Sequence, residues 1–191
     1  YVLPGSVNQA SREAGTSDVV KQMLCEATST DVASGPAPDM FEMGAKVQVL
    51  SRGSMYARRA QRLYDLYREH PSLDALPDKE RDRIERTIFA RSIADVWADT
   101  QAYWQQRDPA QLERANTDER HRMALVFRWY LGNTSRWARM GDASRKKDFQ
   151  VWCGPSMGAF NDWARGGSLD SLQARGVVDI AEALMSGAAA R

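Results

Sequence analysis

Few side chains in this chain have types and spacing that could do chemistry, and they fall in three places. The first is Pro4-Gly5-Ser6-Val7-Asn8-Gln9, a glycine-bearing turn after the apolar segment Tyr1-Val2-Leu3. A strand that ends in such a turn and leads toward a helix is how α/β folds present main-chain N–H groups to a phosphate. Gly-Ser also occurs in ordinary turns, so the signal is weak by itself. The second place is Asp39 to Gly53, where Lys46, Gln48 and Leu50 alternate with Val47, Val49 and Ser51. This period of two marks an extended segment with two different faces. A long polar side chain on such a run can be aimed at a ligand, and an ordinary edge segment is the simpler alternative. The third is Cys153, just ahead of an expected helix start, where the positive helix end would stabilise a thiolate. No histidine lies nearby in sequence and the neighbours are bulky and apolar, which favours an inert buried thiol.

The remaining reactive types give no site. Cys25 and Cys153 are far apart and match no metal-ligand spacing, and the two histidines, His70 and His121, stand alone. There is no P-loop, G-x-S-x-G elbow, zinc motif or H-E-x-x-H helix. Lysine and arginine number 26 against 25 acids, a net charge of +1, so no global field draws the chain to nucleic acid or a membrane. Basic surface must then be local. Arg58, Arg59 and Arg62 share one side of an expected helix, and Arg145, Lys146 and Lys147 form a short basic loop. These could meet an acidic partner, although solvation or pairing with Asp65 and Glu69 is simpler. No apolar stretch is long enough to span a bilayer, and a reduced cytoplasmic protein is expected.

Helices must carry most of this. Gly15-Thr16-Ser17-Asp18 supplies cap candidates for a helix running to about Ala27, and Asp31 to Pro38 should be irregular or briefly extended. Further helices are expected from Ser54 to His70, from Asp78 to Arg91 and, after a Ser92 cap, to about Gln106. In the last of these, Ile93, Val96, Trp97, Thr100, Tyr103 and Trp104 form a stripe read as core. Asp108-Pro109 opens a short helix through Glu113. Thr117 should cap a highly apolar helix centred on Met123–Leu131, with Gly132 and Asn133 ending it and Thr134 to Met140 adding a turn or two. Arg128, inside that helix, needs hydrogen-bonded acceptors or a charged partner, and an internal ion pair is favoured over a substrate contact. Val177 to Met185 is the last helix. The fold class is mainly α. Tyr1 to Pro4 reads as a strand that needs partners the chain barely offers, so a C-terminal part of a longer protein is expected.

Several blocks are more specific than periodicity. Gly5-Ser-Val-Asn-Gln-Ala10, Glu13-Ala-Gly-Thr-Ser-Asp18, Asp39-Met-Phe-Glu-Met-Gly44, Lys46-Val-Gln-Val-Leu50, His121 through Gly132, and Gln150 through Trp163 occur in order over nearly the whole chain. Together they resemble the trans-acting enoyl reductases of polyketide and polyunsaturated fatty acid synthases, in the flavin-dependent TIM-barrel class that includes nitronate monooxygenases. The resemblance implies that residues 1–50 are the last strand and loop of a (β/α)8 flavin barrel with a crossover segment, and that residues 51–191 are a helical subdomain. It implies that Gly5 and Ser6 hold an FMN phosphate through main-chain amides, with Val7, Asn8 and Gln9 lining the same end. Glu42, Lys46 and Gln48 are expected on the flavin side, near substrate or the pantetheine arm. The implied activity is reduction of an α,β-unsaturated acyl thioester on an acyl carrier protein, with NAD(P)H as reductant and the proton donor upstream. A helical docking module for a carrier protein or synthase partner, using Arg58, Arg59, Arg62 and Arg145 to Lys147, is the competing reading.

Overall fold

The computed structural model describes residues 4–190; Tyr1, Val2 and Leu3, where the first strand is expected, lie outside them. The chain is mainly helical, in the order α1 (Gly5–Asn8), α2 (Asp18–Cys25), β1 (Val32–Pro36), β2 (Lys46–Leu50), α3 (Tyr56–Glu69), α4 (Asp78–Ile84), α5 (Ile93–Arg107), α6 (Ala110–Ala115), α7 (Glu119–Met140), α8 (Ser156–Ala164) and α9 (Val177–Ala189). A π-helical turn spans Glu85–Phe89 and a 3-10 turn spans Ala143–Asp148. Two compact units divide the chain. The first comprises Tyr1–Ser34, Val47–Ala57 and Thr134–Arg191, and the second Gly35–Lys46 and Arg58–Asn133. The sheet is the two-stranded pair β1-β2.

In the first unit, Ser17 Oγ accepts the Val20 N–H at 3.3 Å and starts α2, which buries Val20, Met23 and Leu24. These side chains share a core with Val7, Phe149, Met157, Phe160 and Ile180. Gly158 is required by close approach: a Cβ there would overlap the main chain of Thr28 and Ser29. In the same unit the Arg175 side chain, fully buried, donates to Leu169 O at 2.9 Å and to Asn161 Oδ1 at 2.8 Å. Asn161 Nδ2 in turn donates to Leu24 O and Ala27 O, each at 2.8 Å. A buried cation is tolerable only with its donors satisfied, and here neutral carbonyls satisfy them.

The second unit is built on aromatic contacts. Phe41 is fully buried, with ring centroids 5.5 Å from Tyr64, 5.3 Å from Tyr67 and 6.3 Å from Phe127. Those separations suit edge and tilted ring pairing. Phe127 lies in the buried run Met123–Phe127 of α7, and Leu63 and Leu66 of α3 are buried too.

Several local expectations change. Pro4 to Gln9 is one turn of helix, with the Asn8 N–H on Pro4 O at 2.9 Å, instead of an open turn. Asp118, not Thr117, caps α7: its Oδ1 accepts the His121 N–H at 2.9 Å. α7 passes through Gly132 and Asn133 without a break, and Asn133 Nδ2 donates back to Trp129 O at 2.8 Å. A glycine inside a helix costs only about 1 kcal/mol relative to alanine, less than the burial gained by flanking residues such as Tyr130 and Leu131. The helix expected from Asp78 to Arg91 is α at first and π from Glu85, closing at Ala90 with φ 55°. The α5 stripe is core only at Val96 and Thr100; Tyr103 is 53% exposed. Trp97 and Trp104 instead lie under the Arg122 and Arg128 guanidiniums, at 4.8 and 5.7 Å.

Candidate functional site

In the first unit the candidate residues converge on Gly154. Ser6 Oγ accepts the Gly154 N–H at 3.0 Å, and Gln9 Nε2 donates to Trp152 O at 3.0 Å. The same segment pairs with β2: Leu50 N–H reaches Val151 O at 2.8 Å and Cys153 N–H reaches Gln48 O at 3.2 Å, around an antiparallel Val49–Trp152 bridge. A Cβ on Gly154 would come within 3.3 Å of Gln48 Oε1 and 3.5 Å of Ser6 Oγ. The glycine is therefore where α1 and β2 both touch the Trp152–Pro155 turn. Trp152 is 47% exposed beside it.

The donor set at α1 fits a phosphate. The first N–H groups of a helix have no intrahelical acceptor. A Cβ on Gly5 would meet nothing within 4 Å, so space is open in front of that residue. Ser6 Oγ is the acceptor in its bond to Gly154, so its O–H is a donor on the same side chain. The Val7 side chain is buried in the core, so only its main chain could reach a ligand. Asn8 and Gln9 are half-buried.

Cys153 lies in this turn but is not a nucleophile. It is 2% exposed, and burial pushes its thiol up to about 11, so the thiolate is scarce at neutral pH. Burial likewise raises the Cys25 thiol.

Glu42 and Lys46 belong to the second unit. The turn Asp39–Gly44 is pinned there by buried Phe41 and by Gly44, whose φ of 75° and close approach to Tyr64 exclude a side chain. Glu42 Oε1 is 3.4 Å from His121 Nδ1 and 3.9 Å from Arg128 Nη1, and Oε2 is 3.9 Å from Arg114 Nη2. Buried His121 carries the line inward, with Nε2 3.0 Å from Gln111 Oε1. Arg128, only half-buried, donates from Nε to Pro38 O at 3.1 Å, while Glu42, 3.9 Å from Nη1, is the charged partner expected for it. Asp118 is held below the usual carboxylate range, chiefly by the His121 main-chain N–H, with Arg114 adding to the effect and burial opposing it. Lys46 is exposed at the start of β2, and Met40 and Met43 are exposed on the turn.

The basic candidates divide. Arg62 pairs with Glu80 at 2.9 Å, and that bond holds the Glu80 carboxyl low. Asp65, the expected partner, takes the Gln61 amide instead at 2.8 Å. Arg58 is exposed and Arg59 half-buried. Arg145 is 3.1 Å from Asp148 and stacks 4.1 Å over Trp137, whereas Lys146 and Lys147 are exposed. Sequence reasoning misses His121, Asn161 and Arg175 as buried polar centres. Only His121 leaves a trace, in its position three residues after the capping Asp118.

The chain is similar to several known proteins. Residues 70–149 match the family model described as [acyl-carrier-protein] S-malonyltransferase, inserted helical domain. The chain is 44% identical over 172 residues to a subunit of the polyunsaturated fatty acid synthase of Thraustochytrium, covering 89% of this chain and 12% of that protein. It is 45% identical over 190 residues to the polyketide biosynthesis protein ThaF of Burkholderia thailandensis, covering 99% of this chain and 16% of that protein. With the polyketide biosynthesis protein PksE of Bacillus subtilis the identity is 41%, covering 97% of this chain and 24% of that protein. The chain thus spans a quarter or less of these curated relatives. Among solved structures, the enoyl reductase domain of MlnA from the macrolactin cluster of Bacillus amyloliquefaciens superposes with a TM-score of 0.89 at 36% identity, over 95% of this chain and 40% of that one.

Proposed function

We propose that this homologue of polyketide and polyunsaturated fatty acid synthase segments is the C-terminal portion of an enoyl reductase that uses FMN and NAD(P)H to reduce α,β-unsaturated acyl thioesters on an acyl carrier protein. The observation that carries the reading is the likeness to an enoyl reductase domain over 95% of the chain. In this reading residues 1–50 complete an upstream flavin barrel, residues 51–191 form its helical subdomain, and the protein is cytoplasmic. Among the described residues no helix is long and apolar enough to cross a membrane.

This chain's residues then have distinct tasks. The amides of Gly5, Ser6 and Val7 and the Ser6 hydroxyl hold the FMN phosphate. Gly154 keeps that hydroxyl oriented, and Gln9, bonded to Trp152 O, ties α1 to the same turn. Bound FMN supplies the hydride chemistry. Gln48 in the first unit is a candidate substrate-side group; in the second unit Glu42 and Lys46 are separate candidates, with Glu42 oriented by His121, Arg128 and Arg114. The test is the full-length protein with its upstream residues. It should purify with flavin absorbance and oxidise NAD(P)H only when an enoyl thioester is present; a protein that neither carries nor takes up FMN overturns the reading.

Exposed Lys146 and Lys147 in the first unit and, separately, exposed Arg58 in the second favour a further contribution, docking of the acidic carrier protein. Reversing these three charges should weaken carrier-protein binding and leave flavin content intact. Loss of turnover on a small enoyl thioester in the same variant would show that docking is not their task.

A further inference from the structure

We infer that buried His121 carries a second ring proton and that this proton positions Glu42 on the Asp39–Gly44 turn. The observation behind it is a line of four side chains in the second unit, Asp108, Gln111, His121 and Glu42. Gln111 Nε2 is 2.9 Å from Asp108 Oδ2, Gln111 Oε1 is 3.0 Å from His121 Nε2, and His121 Nδ1 is 3.4 Å from Glu42 Oε1. The line thus has three contacts and a carboxylate at each end.

Each contact needs one proton between its heavy atoms. Carboxylates supply none, the Gln111 amide supplies one along this line, and a neutral imidazole supplies one more. Two donors cannot serve three contacts. Asp108 fixes the amide, because its carboxylate takes the Nε2 side and leaves Gln111 Oε1 facing the ring. His121 Nε2 must therefore be an N–H, and a neutral ring would aim the bare lone pair of Nδ1 at Glu42. Water does not relieve that clash: Nδ1 is buried and has no hydrogen-bond partner among the described residues. A second ring proton, on Nδ1, removes the conflict.

The surrounding charges agree. Around the ring stand Glu42 on its turn, Asp108 just after α5, Arg114 on α6, Asp118 before α7 and Arg128 within α7, three acids against two bases. An imidazolium supplies the missing positive charge. The proton belongs to the ring and not to Glu42, because Arg114 and Arg128, each with a nitrogen 3.9 Å from that carboxylate, attract it only as an anion. Glu42 then takes its direction from a charged N–H that is itself held from behind by Gln111. His121 is thus a positioning residue. That Glu42 serves substrate rests on the function proposed above; the proton does not, and it is tested without flavin or thioester.

The test is ring-nitrogen NMR of the full chain at about pH 7.5, where an unperturbed imidazole is mostly neutral, with the His121 signals assigned through its main-chain N–H. The parent should show an N–H at both ring nitrogens of His121. Glu42→Gln brings its own N–H to Nδ1, so His121 should lose the Nδ1 proton and keep the one on Nε2. Asp108→Asn supplies the missing donor at the other end of the line. The Gln111 amide then turns over, and His121 should become a neutral ring with its proton on Nδ1 alone. A neutral His121 ring in the parent overturns the inference. So does a ring that keeps both protons in Glu42→Gln, or its Nε2 proton in Asp108→Asn, because the count of donors along the line would then be wrong.

Discussion

The Asp39–Gly44 turn and the Trp152–Pro155 turn both carry candidate site residues, but unlike forces hold them. The first is anchored by a buried ring and by charges, with Phe41 among aromatics and Glu42 between His121, Arg114 and Arg128. The second is held by neutral hydrogen bonds to Ser6, Gln9 and Gln48. One turn should therefore respond to salt, while the other should be indifferent to it.

The largest effect should come from the ring. Phe41→Ala should lower the unfolding free energy by about 3–5 kcal/mol in urea, because it empties the centre of the aromatic cluster. Gly44→Ala follows at about 1–3 kcal/mol, combining the left-handed backbone with the clash against Tyr64. Ser6→Ala should cost about 1 kcal/mol, by leaving the Gly154 N–H unpaired, with the same loss at low and high salt. Glu42→Gln should cost up to about 1 kcal/mol at low salt and much less in strong salt. A salt-independent loss for Glu42→Gln, or a salt-dependent one for Ser6→Ala, would remove the contrast between the turns.

The smallest effect concerns pH. Because the folded state depresses the Asp118 pKa, that group stabilises the protein above its ordinary value of 3.8, and the benefit is lost as pH falls through the lower folded value. Asp118→Asn should slightly lower stability at neutral pH, flatten the acid limb of a stability-against-pH curve below about pH 4, and converge with the parent at lower pH. A variant with an acid limb as steep as the parent's would assign it to other carboxylates, such as Glu80.

What is legible in the sequence is local. Ser17, Ser54 and Ser92 announce α2, α3 and α5, because a cap acts on N–H groups two or three residues away. The continuity of α7 is not legible, since Gly132 costs little where its neighbours are buried. Nor is the Arg62–Glu80 pair, whose members lie on different helices. Residue types mark the Gly5–Gln9 segment and Gln48 as candidates, yet their meeting at Gly154 depends on β2 pairing with residues 151–153, about a hundred positions away. Glu42 stands out without the buried His121 behind it, because a lone histidine in an apolar helix gives no sign of what it faces.

Position 158 offers a reading of other sequences. Two main chains touch there with only a hydrogen between them, so a larger residue would require the Thr28–Ser29 segment to move. Any chain of this fold with a side chain at that place should also differ in length or glycine content after α2. The paired change gives a way to tell, from sequence alone, which relatives keep this seat for α8 and which have rebuilt it.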